Sequence, residues 1–226
     1  SFFLHVELDV CSCAKAQLER IARHIALRVE RGLSSTSATQ PLVVLDAFCG
    51  AGGNAIQFAL HDMYVIAADV DATKIALARN NARVYGVDSF IEFVQCDSIA
   101  FMRDAGANAR LRAIDAVFCS PPWGGPGYHL HAMFRLGTMQ PYSGEDVLNA
   151  ALAVSPNVAM FLPKNTDPRD MQDLGVLALE RGSVCGTKAL STLTLCEVEF
   201  NGLSKKRKAL TMYFGALAQS CNPDIR

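Results

Sequence analysis

Short apolar runs alternate with amphipathic stretches along most of the chain. Continuous apolar runs of this length are typical of buried parallel strands, and we expect strands at 42–45, 65–69, 90–96, 114–119 and 158–162. A 3.6-residue apolar period predicts helices over 14–31, 54–60 and 72–85. Two last apolar runs, 193–200 and 210–214, predict a closing hairpin around 201–208. The order predicts an α/β, doubly wound sheet that is mostly parallel, with a C-terminal antiparallel hairpin and helices on both faces.

A polar segment at 34–41 separates the first predicted helix from the first strand. We therefore divide the chain into an N-terminal helical arm with its linker, 1–41, and a unit that holds the sheet, 42–226. With 226 residues, of which 50% are hydrophobic, the chain is long enough to bury one substantial core.

Glycines follow the first predicted strand in the segment D-A-F-C-G-A-G-G-N at 46–54. Strand, glycine turn and helix in this order open a nucleotide-binding fold, in which an acidic residue ends the second strand and binds a ribose hydroxyl. Asp69 holds that position, and Asp71 is a neighbouring candidate. A ribose-binding acid fits NAD and S-adenosylmethionine (SAM) equally well.

The glycine pattern favours SAM over NAD. It lacks the G-x-G-x-x-G spacing that brings a pyrophosphate to a helix N-terminus. Asp46 lies directly before the glycines, where its carboxylate would repel phosphate but suit a cationic cofactor that carries an ammonium group. Asp46, Asp69, Asp97 and Ser120 all follow or end predicted strands, so we expect them to share one pocket at the carboxyl ends of the sheet.

The segment S-P-P-W at 120–123 predicts a site for a planar amine and resembles the substrate loop of amino-methyltransferases. Pro121 and Pro122 stiffen the backbone and leave its carbonyls free to accept hydrogen bonds. Those carbonyls or the Ser120 hydroxyl could accept from an exocyclic amino group. Trp123 offers a flat face on which a nucleobase can stack.

The net charge and the cysteine spacing limit the kind of substrate and the cellular compartment that we expect. The formal net charge of −1 lacks the basic excess with which proteins grip long nucleic acids, so we expect binding at one nucleotide or an end. None of the eight cysteines forms a C-x-x-C pair, which favours reduced thiols in nucleus or cytoplasm. No apolar run approaches the roughly 20 residues of a membrane span, so we expect a soluble protein. His129 and His131 lack ligand partners at metal spacing, and we expect no metal.

Three motifs together resemble the trimethylguanosine synthase family: D-A-F-C-G-A-G-G-N-x-I-Q-F-A at 46–59, I-A-L-A-R-N-N-A at 75–82 and S-P-P-W-G-G-P-x-Y at 120–128. The resemblance implies a class I SAM-dependent methyltransferase (Rossmann-like) fold. It further implies methylation of guanine N2 in the 7-methylguanosine (m7G) cap of a small RNA, which the protein holds mainly at the cap, with S-adenosylhomocysteine (SAH) as product.

The resemblance also implies roles for individual residues. Those that would bind the cofactor are Asp46, Phe48, Cys49, Gly50, Gly52, Asn54, Asp69, Asp97 and Ser98. Those that would bind the cap are Asn81, Ser120, Pro121, Pro122, Trp123 and Lys164. Ser120, Pro121 and Trp123 would act in catalysis by positioning the amine. Without the resemblance, a solvent-facing Asn81 on its helix is the favoured interpretation.

The chain departs from the family pattern in two places and leaves two rival functions open. Lys164 stands where the family usually has arginine, and residues 13–18 replace an aromatic W-F-S-x-T-P stretch that helps close the site. The number of methyl groups transferred is therefore open. The rivals are methylation of another base amine, such as adenine N6, and a cap-binding module without catalysis. The basic run 205–208 could contact RNA phosphates or act as a nuclear signal, but a solvated hairpin tip is favoured.

Overall fold

A computed structural model describes residues 12–34, 41–107, 114–125, 132–184, 196–203 and 206–219. These residues build one seven-stranded sheet with the spatial order β3-β2-β1-β4-β5-β7-β6. The strands are β1 (Val43–Asp46), β2 (Tyr64–Asp69), β3 (Ile91–Gln95), β4 (Ala116–Cys119), β5 (Val158–Pro163), β6 (Glu197–Leu203) and β7 (Lys206–Tyr213). β1 to β5 run parallel, and β7 is antiparallel to both β5 and β6. The predicted mostly parallel sheet with an antiparallel hairpin is confirmed.

Six helices of the described chain cover this sheet. They are α1 (Ser12–Leu33), α2 (Gly53–Ala59), α3 (Ala72–Tyr85), α4 (Ser98–Ala107), α5 (Gly144–Val154) and α6 (Pro168–Val184). Within the described ranges, no helix is both long and apolar enough to cross a bilayer. Cys49, Cys96, Cys119 and Cys196 are free thiols, whereas His129 and His131 lie outside the described residues.

Local hydrogen bonds set the ends of the helices that border the sheet's carboxyl edge. The Asp71 side chain accepts from the backbone N–H groups of Thr73 and Lys74 and so begins α3, while Gly86 ends that helix in a left-handed conformation. Ser143 and Asp146 form a reciprocal capping box at the start of α5. The loops that precede α3 and α5 are therefore held by the helices that follow them.

Two apolar layers pack against opposite faces of the sheet. One layer joins α1, α2 and α3 to the sheet through residues such as Ile25, Phe58 and Phe118. The other joins α4 and α5 to the sheet through residues such as Met102 and Leu148. Both faces of the central strands are thereby covered, as parallel strands require.

Helix α1 is tied to the C-terminal hairpin by a buried arginine. The Arg28 guanidinium donates to both carboxylate oxygens of Glu197, at 3.0 and 2.7 Å, and to Glu199 at 3.2 Å. It also donates to the Leu217 carbonyl and lies 4.3 Å from the centre of the Tyr213 ring. Although α1 falls within the predicted arm, it packs into the main core, and the division of the chain at residue 41 stays a prediction.

The predicted loop of the closing hairpin is too long. β6 extends to Leu203 and β7 begins at Lys206, so the basic residues at 206–208 belong to a strand and do not form the hairpin tip. Lys206 and Arg207 pair with β6 beyond the point where β5 ends, and the side chains of Arg207 and Lys208 are exposed. Arg207 lies 4.1 Å from the centre of the Phe200 ring, where cation–π attraction favours it.

Candidate active site

A cavity of about 330 Å³ opens at the carboxyl ends of the parallel strands. Most of the residues expected to bind the cofactor or the amine meet there. Those that line it are Phe48, Gly50, Asp69, Asp97, Ser98, Ser120, Pro121 and Pro122. Acidic acceptors and apolar walls together suit a nucleoside that carries a cationic side chain, and this composition fits SAM.

The glycine loop and Asp69 hold each other in place at one end of this cavity. The backbone N–H of Gly50 donates to Asp69 Oδ2 at 3.0 Å, and the N–H of Asp71 donates to Oδ1 at 3.0 Å. Lys74 Nζ lies 3.9 Å from Oδ1. Asp69 thus keeps a fixed carboxylate at the end of β2, where a ribose hydroxyl could donate to its remaining lone pairs. Asp71 is exposed and caps α3.

Gly52 allows the loop to pass close to α3. It has a φ of 87°, which non-glycine residues rarely adopt. A Cβ atom at this position would lie 3.0 Å from the Ala78 Cβ atom. The glycine turn is therefore required by both backbone conformation and packing.

Asp46 is buried beneath this loop and does not line the cavity among the described residues. Neither carboxylate oxygen has a hydrogen-bond partner in the described structure. Burial raises the pKa of Asp46 to about 7, and the nearby charge of Asp69 adds to the rise. The N–H groups of Phe48 and Ala55 lower that pKa without reaching hydrogen-bond geometry. A buried carboxylate without a partner is costly, and a cationic ligand would relieve that cost.

Asp97 and Ser98 lie at the start of α4, directly after β3, the strand that pairs with β2. Asp97 Oδ2 accepts a hydrogen bond of 2.6 Å from the Tyr142 hydroxyl. This bond, together with the backbone N–H groups of the first turn of α4, lowers the pKa of Asp97. The Ser98 hydroxyl donates to the Ala47 carbonyl and joins α4 to the loop after β1. Asp97 therefore offers an ionised acceptor to the cavity, while the Ser98 hydroxyl is already used within the protein.

The S-P-P-W segment follows β4, and its last residue, Trp123, is absent from the lining of the larger cavity in the described chain. Trp123 is half-buried and packs on Phe161, with 5.5 Å between ring centroids and 31° between ring planes. Phe161 also lines a second, mainly apolar cavity of about 180 Å³ between α1 and α2, to which Ile21 and Asn54 contribute. The tryptophan ring is therefore supported on one side by the core.

Several predicted site residues lie away from the larger cavity. Within the described chain its lining excludes Cys49, Gly52, Asn54, Asn81 and Lys164. Lys164 is exposed directly after β5. Asn81 is buried, and its side-chain amide donates to the Ala51 carbonyl at 3.0 Å. A solvent-facing Asn81 is therefore wrong, because the asparagine supports the glycine loop. Binding of ligand by these residues stays a prediction.

The structure adds wall residues that the sequence pattern did not indicate. They are Val70, Lys74, Gln140, Pro141, Tyr142 and Val147. The capping signature S-G-E-D at 143–146 marks the start of α5 and could have placed the segment before it at the same edge of the sheet. No local signal shows that this segment faces the cavity.

Comparisons with known proteins agree with this site. The model of the family described as RNA cap guanine-N2 methyltransferase matches residues 42–217. Trimethylguanosine synthase of Schizosaccharomyces pombe is 39% identical over 169 residues, which cover 74% of this chain and 67% of that protein. The Saccharomyces cerevisiae enzyme of the same name is 39% identical over 127 residues, which cover 55% of this chain and 39% of that protein.

The fold has solved counterparts. A SAM-dependent methyltransferase from Agrobacterium tumefaciens superposes with a TM-score of 0.58 at 16% identity, over 86% of this chain and 62% of that one. At this identity the likeness concerns the fold alone. With the family match covering the glycine loop, the S-P-P-W segment and most of the sheet, the chain belongs to the RNA cap guanine-N2 methyltransferase family.

Proposed function

We propose that this chain transfers a methyl group from SAM to the exocyclic N2 of guanine in the m7G cap of RNA. The proposal rests chiefly on one observation: Ser120, Pro121 and Pro122 line the same cavity as the glycine loop, Asp69 and Asp97. The amine-binding segment and the nucleoside-binding edge thus share one space. Family membership supports guanine over adenine as the base, and an enzyme over a binding module.

In this proposal the cofactor occupies the larger cavity. Asp69 would bind the ribose hydroxyls, Asp97 would lie near the adenine, and the buried Asp46 would interact with the ammonium group. SAM supplies an electrophilic methyl group on a sulfonium, so the protein need not activate the donor. Phe48 and Pro121 are walls that exclude water from the transfer.

The cap base would stack on Trp123. Methylation at N7 gives guanine a positive charge, and a cation over an indole gains about 0.5–2 kcal/mol. The Phe161 ring supports the indole at 5.5 Å, so less ordering would be needed when the base binds. The Ser120 hydroxyl and backbone carbonyls of the proline segment would accept from the N2 amino group and orient its lone pair.

Positioning would supply most of the catalysis. The N7 charge withdraws electrons and eases proton loss from N2, so a strong general base is unnecessary. Alignment of reacting groups is worth up to about 7–11 kcal/mol in favourable cases. The finer assignments also belong to this proposal: a small capped RNA is the substrate, and the nucleus or the cytoplasm is the location.

Mass spectrometry of m7GTP incubated with SAM and the protein tests the proposal, with GTP as the parallel substrate. We expect one or two added methyl groups on m7GTP and none on GTP. Trp123→Ala should raise the KM for m7GTP by roughly 10- to 100-fold, since base–aromatic stacking contributes about 1–3 kcal/mol, and Trp123→Phe should retain part of the affinity. Methylation of GTP and m7GTP at equal rates would reject cap recognition. A protein that binds both SAM and m7GTP but yields no product, on longer capped RNA included, would reject the enzyme.

A further inference from the structure

Tyr142 contacts Asp97 directly in the wall of the cavity, although the two residues are 45 positions apart in the chain. The phenol donates to Asp97 Oδ2 at 2.6 Å, a short distance typical of hydroxyl–carboxylate hydrogen bonds. Both side chains line the larger cavity. The contact therefore lies at the ligand side of the fold.

The other oxygen of Asp97 is held by α4. Asp97 Oδ1 accepts from the backbone N–H groups of Ile99 at 2.8 Å and Ala100 at 3.1 Å. The carboxylate is thus fixed at both ends, and Oδ2 keeps a second lone pair. A carboxylate only accepts hydrogen bonds, so a ligand that binds this lone pair must be a donor.

Tyr142 is itself held by rigid neighbours. The residue that follows it, Ser143, begins α5 through the capping box with Asp146. The Tyr142 ring packs against the core layer beneath α4 and α5. Its hydrogen bond to Asp97 raises the pKa of the phenol, while Arg103 lowers that pKa and Asp146 raises it. The phenol therefore stays protonated near neutral pH and keeps its role as a donor.

We propose that Tyr142 is a positioning residue that aims Asp97 at the exocyclic amino group of the cofactor's adenine, so that the site selects an aminopurine over an oxopurine. This inference rests on the placement of SAM in the larger cavity described under the proposed function. Hypoxanthine carries a carbonyl where adenine carries its amino group. That carbonyl would face the fixed carboxylate oxygen of Asp97. Because both oxygens are hydrogen-bond acceptors, they would repel each other and binding would be disfavoured.

Calorimetric titration with SAH and with S-inosylhomocysteine tests the inference on the wild type and on Tyr142→Phe. We expect the wild type to prefer SAH by at least tenfold. Loss of a hydrogen bond to a partly exposed charged group should weaken SAH binding of Tyr142→Phe by about 5- to 20-fold. The same substitution should change the affinity for S-inosylhomocysteine by less than about twofold. The preference of Tyr142→Phe for SAH over this analogue should therefore be smaller than that of the wild type. In steady-state assays the KM for SAM should rise with the Kd while kcat stays unchanged.

Tyr64→Phe is the matched control, because it removes a phenol at the amino end of β2, at the opposite edge of the sheet. It should leave both affinities unchanged. Asp97→Asn supplies a second test: its amide oxygen can still cap α4, while its NH2 group replaces the acceptor of the Tyr142 hydroxyl. In that background, Tyr142→Phe should weaken SAH binding by less than about twofold, since coupled residues are not additive.

The outcomes separate this inference from the proposed function. Equal losses caused by Tyr142→Phe in the wild-type and Asp97→Asn backgrounds would overturn it, as would an unchanged preference for SAH or a fall in kcat alone. If Asp69→Asn weakens SAH binding while Tyr142→Phe does not, Tyr142 has no positioning role and the cofactor placement stands. If none of the three substitutions alters SAH binding, the cofactor placement itself fails.

Discussion

The buried carboxyl of Asp46 should make the stability of this protein depend on pH in a way that one substitution removes. Burial raises its pKa from 3.8 to about 7. The folded protein then holds a proton that the unfolded chain releases near pH 4. The contribution of Asp46 to stability is therefore lost progressively as the pH rises from about 4 to about 7. Asp46→Asn cannot ionise and should lack this loss.

The size of the effect follows from the shift. A rise of about three pK units, at roughly 1.4 kcal/mol per unit, amounts to about 4 kcal/mol of unfolding free energy. The asparagine amide is also buried without partners and carries its own desolvation cost. That cost does not vary with pH, so the difference between variant and wild type isolates the ionisation of Asp46.

Urea denaturation at pH 4, 5, 6, 7 and 8 measures this difference, with the fluorescence of the single tryptophan, Trp123, as the signal. The unfolding free energy of Asp46→Asn minus that of the wild type should rise by about 4 kcal/mol across the series. Asp104→Asn, at an exposed position of α4, is the control and should show no such rise.

A difference that stays within about 1 kcal/mol from pH 5 to 8 would refute the reasoning, because Asp46 would then titrate like a solvated carboxyl. If the difference in unfolding free energy rises with pH while Asp46→Asn binds SAH as tightly as the wild type, the burial argument is upheld. That result would, however, remove Asp46 from the proposed contact with the cofactor's ammonium group.

Two further substitutions test the packing that supports the site. Gly52→Ala should destabilise the fold by about 1–3 kcal/mol in urea denaturation, since it forces a non-glycine residue to a φ of 87° and brings Cβ to 3.0 Å from that of Ala78; a neutral result would contradict the close approach. Arg28→Ala should cost roughly 3 kcal/mol by leaving Glu197 and Glu199 without their buried partner. If the unfolding free energy falls by less than about 0.5 kcal/mol, as for a surface ion pair, Arg28 does not tie α1 to the hairpin.

Elements with local signals could be predicted closely from the sequence. Helix α3 occupies 72–85 as expected, since the Asp71 cap and the Gly86 stop both lie within one turn of its ends. The central strands were recognisable because burial on both faces makes them continuously apolar. Parallel strands end at one edge of the sheet, and this rule predicts that one cavity is lined by Asp69, Asp97 and Ser120.

Features that depend on distant contacts could not be predicted. The periodicity of α1 indicates a helix, but nothing near Arg28 indicates acceptors 169 residues later. Asn81 reads as a polar helix position, and its burial follows only from the path of the Ala51 backbone. Tyr142 lies in a loop, and its role depends on Asp97, which another strand brings to it. In each case the decisive partner is set by the tertiary fold.

The arginine that joins α1 to the hairpin also sets the order in which the protein can be completed during synthesis. Arg28 leaves the ribosome among the first residues of the described fold, whereas Glu197 and Glu199 lie 169 and 171 residues later. At roughly 5–20 residues per second, that interval lasts about 10–30 s. Throughout it the guanidinium has no access to either carboxylate. The nascent chain thus cannot form the ion pairs between its first helix and the hairpin until the β6 strand has emerged.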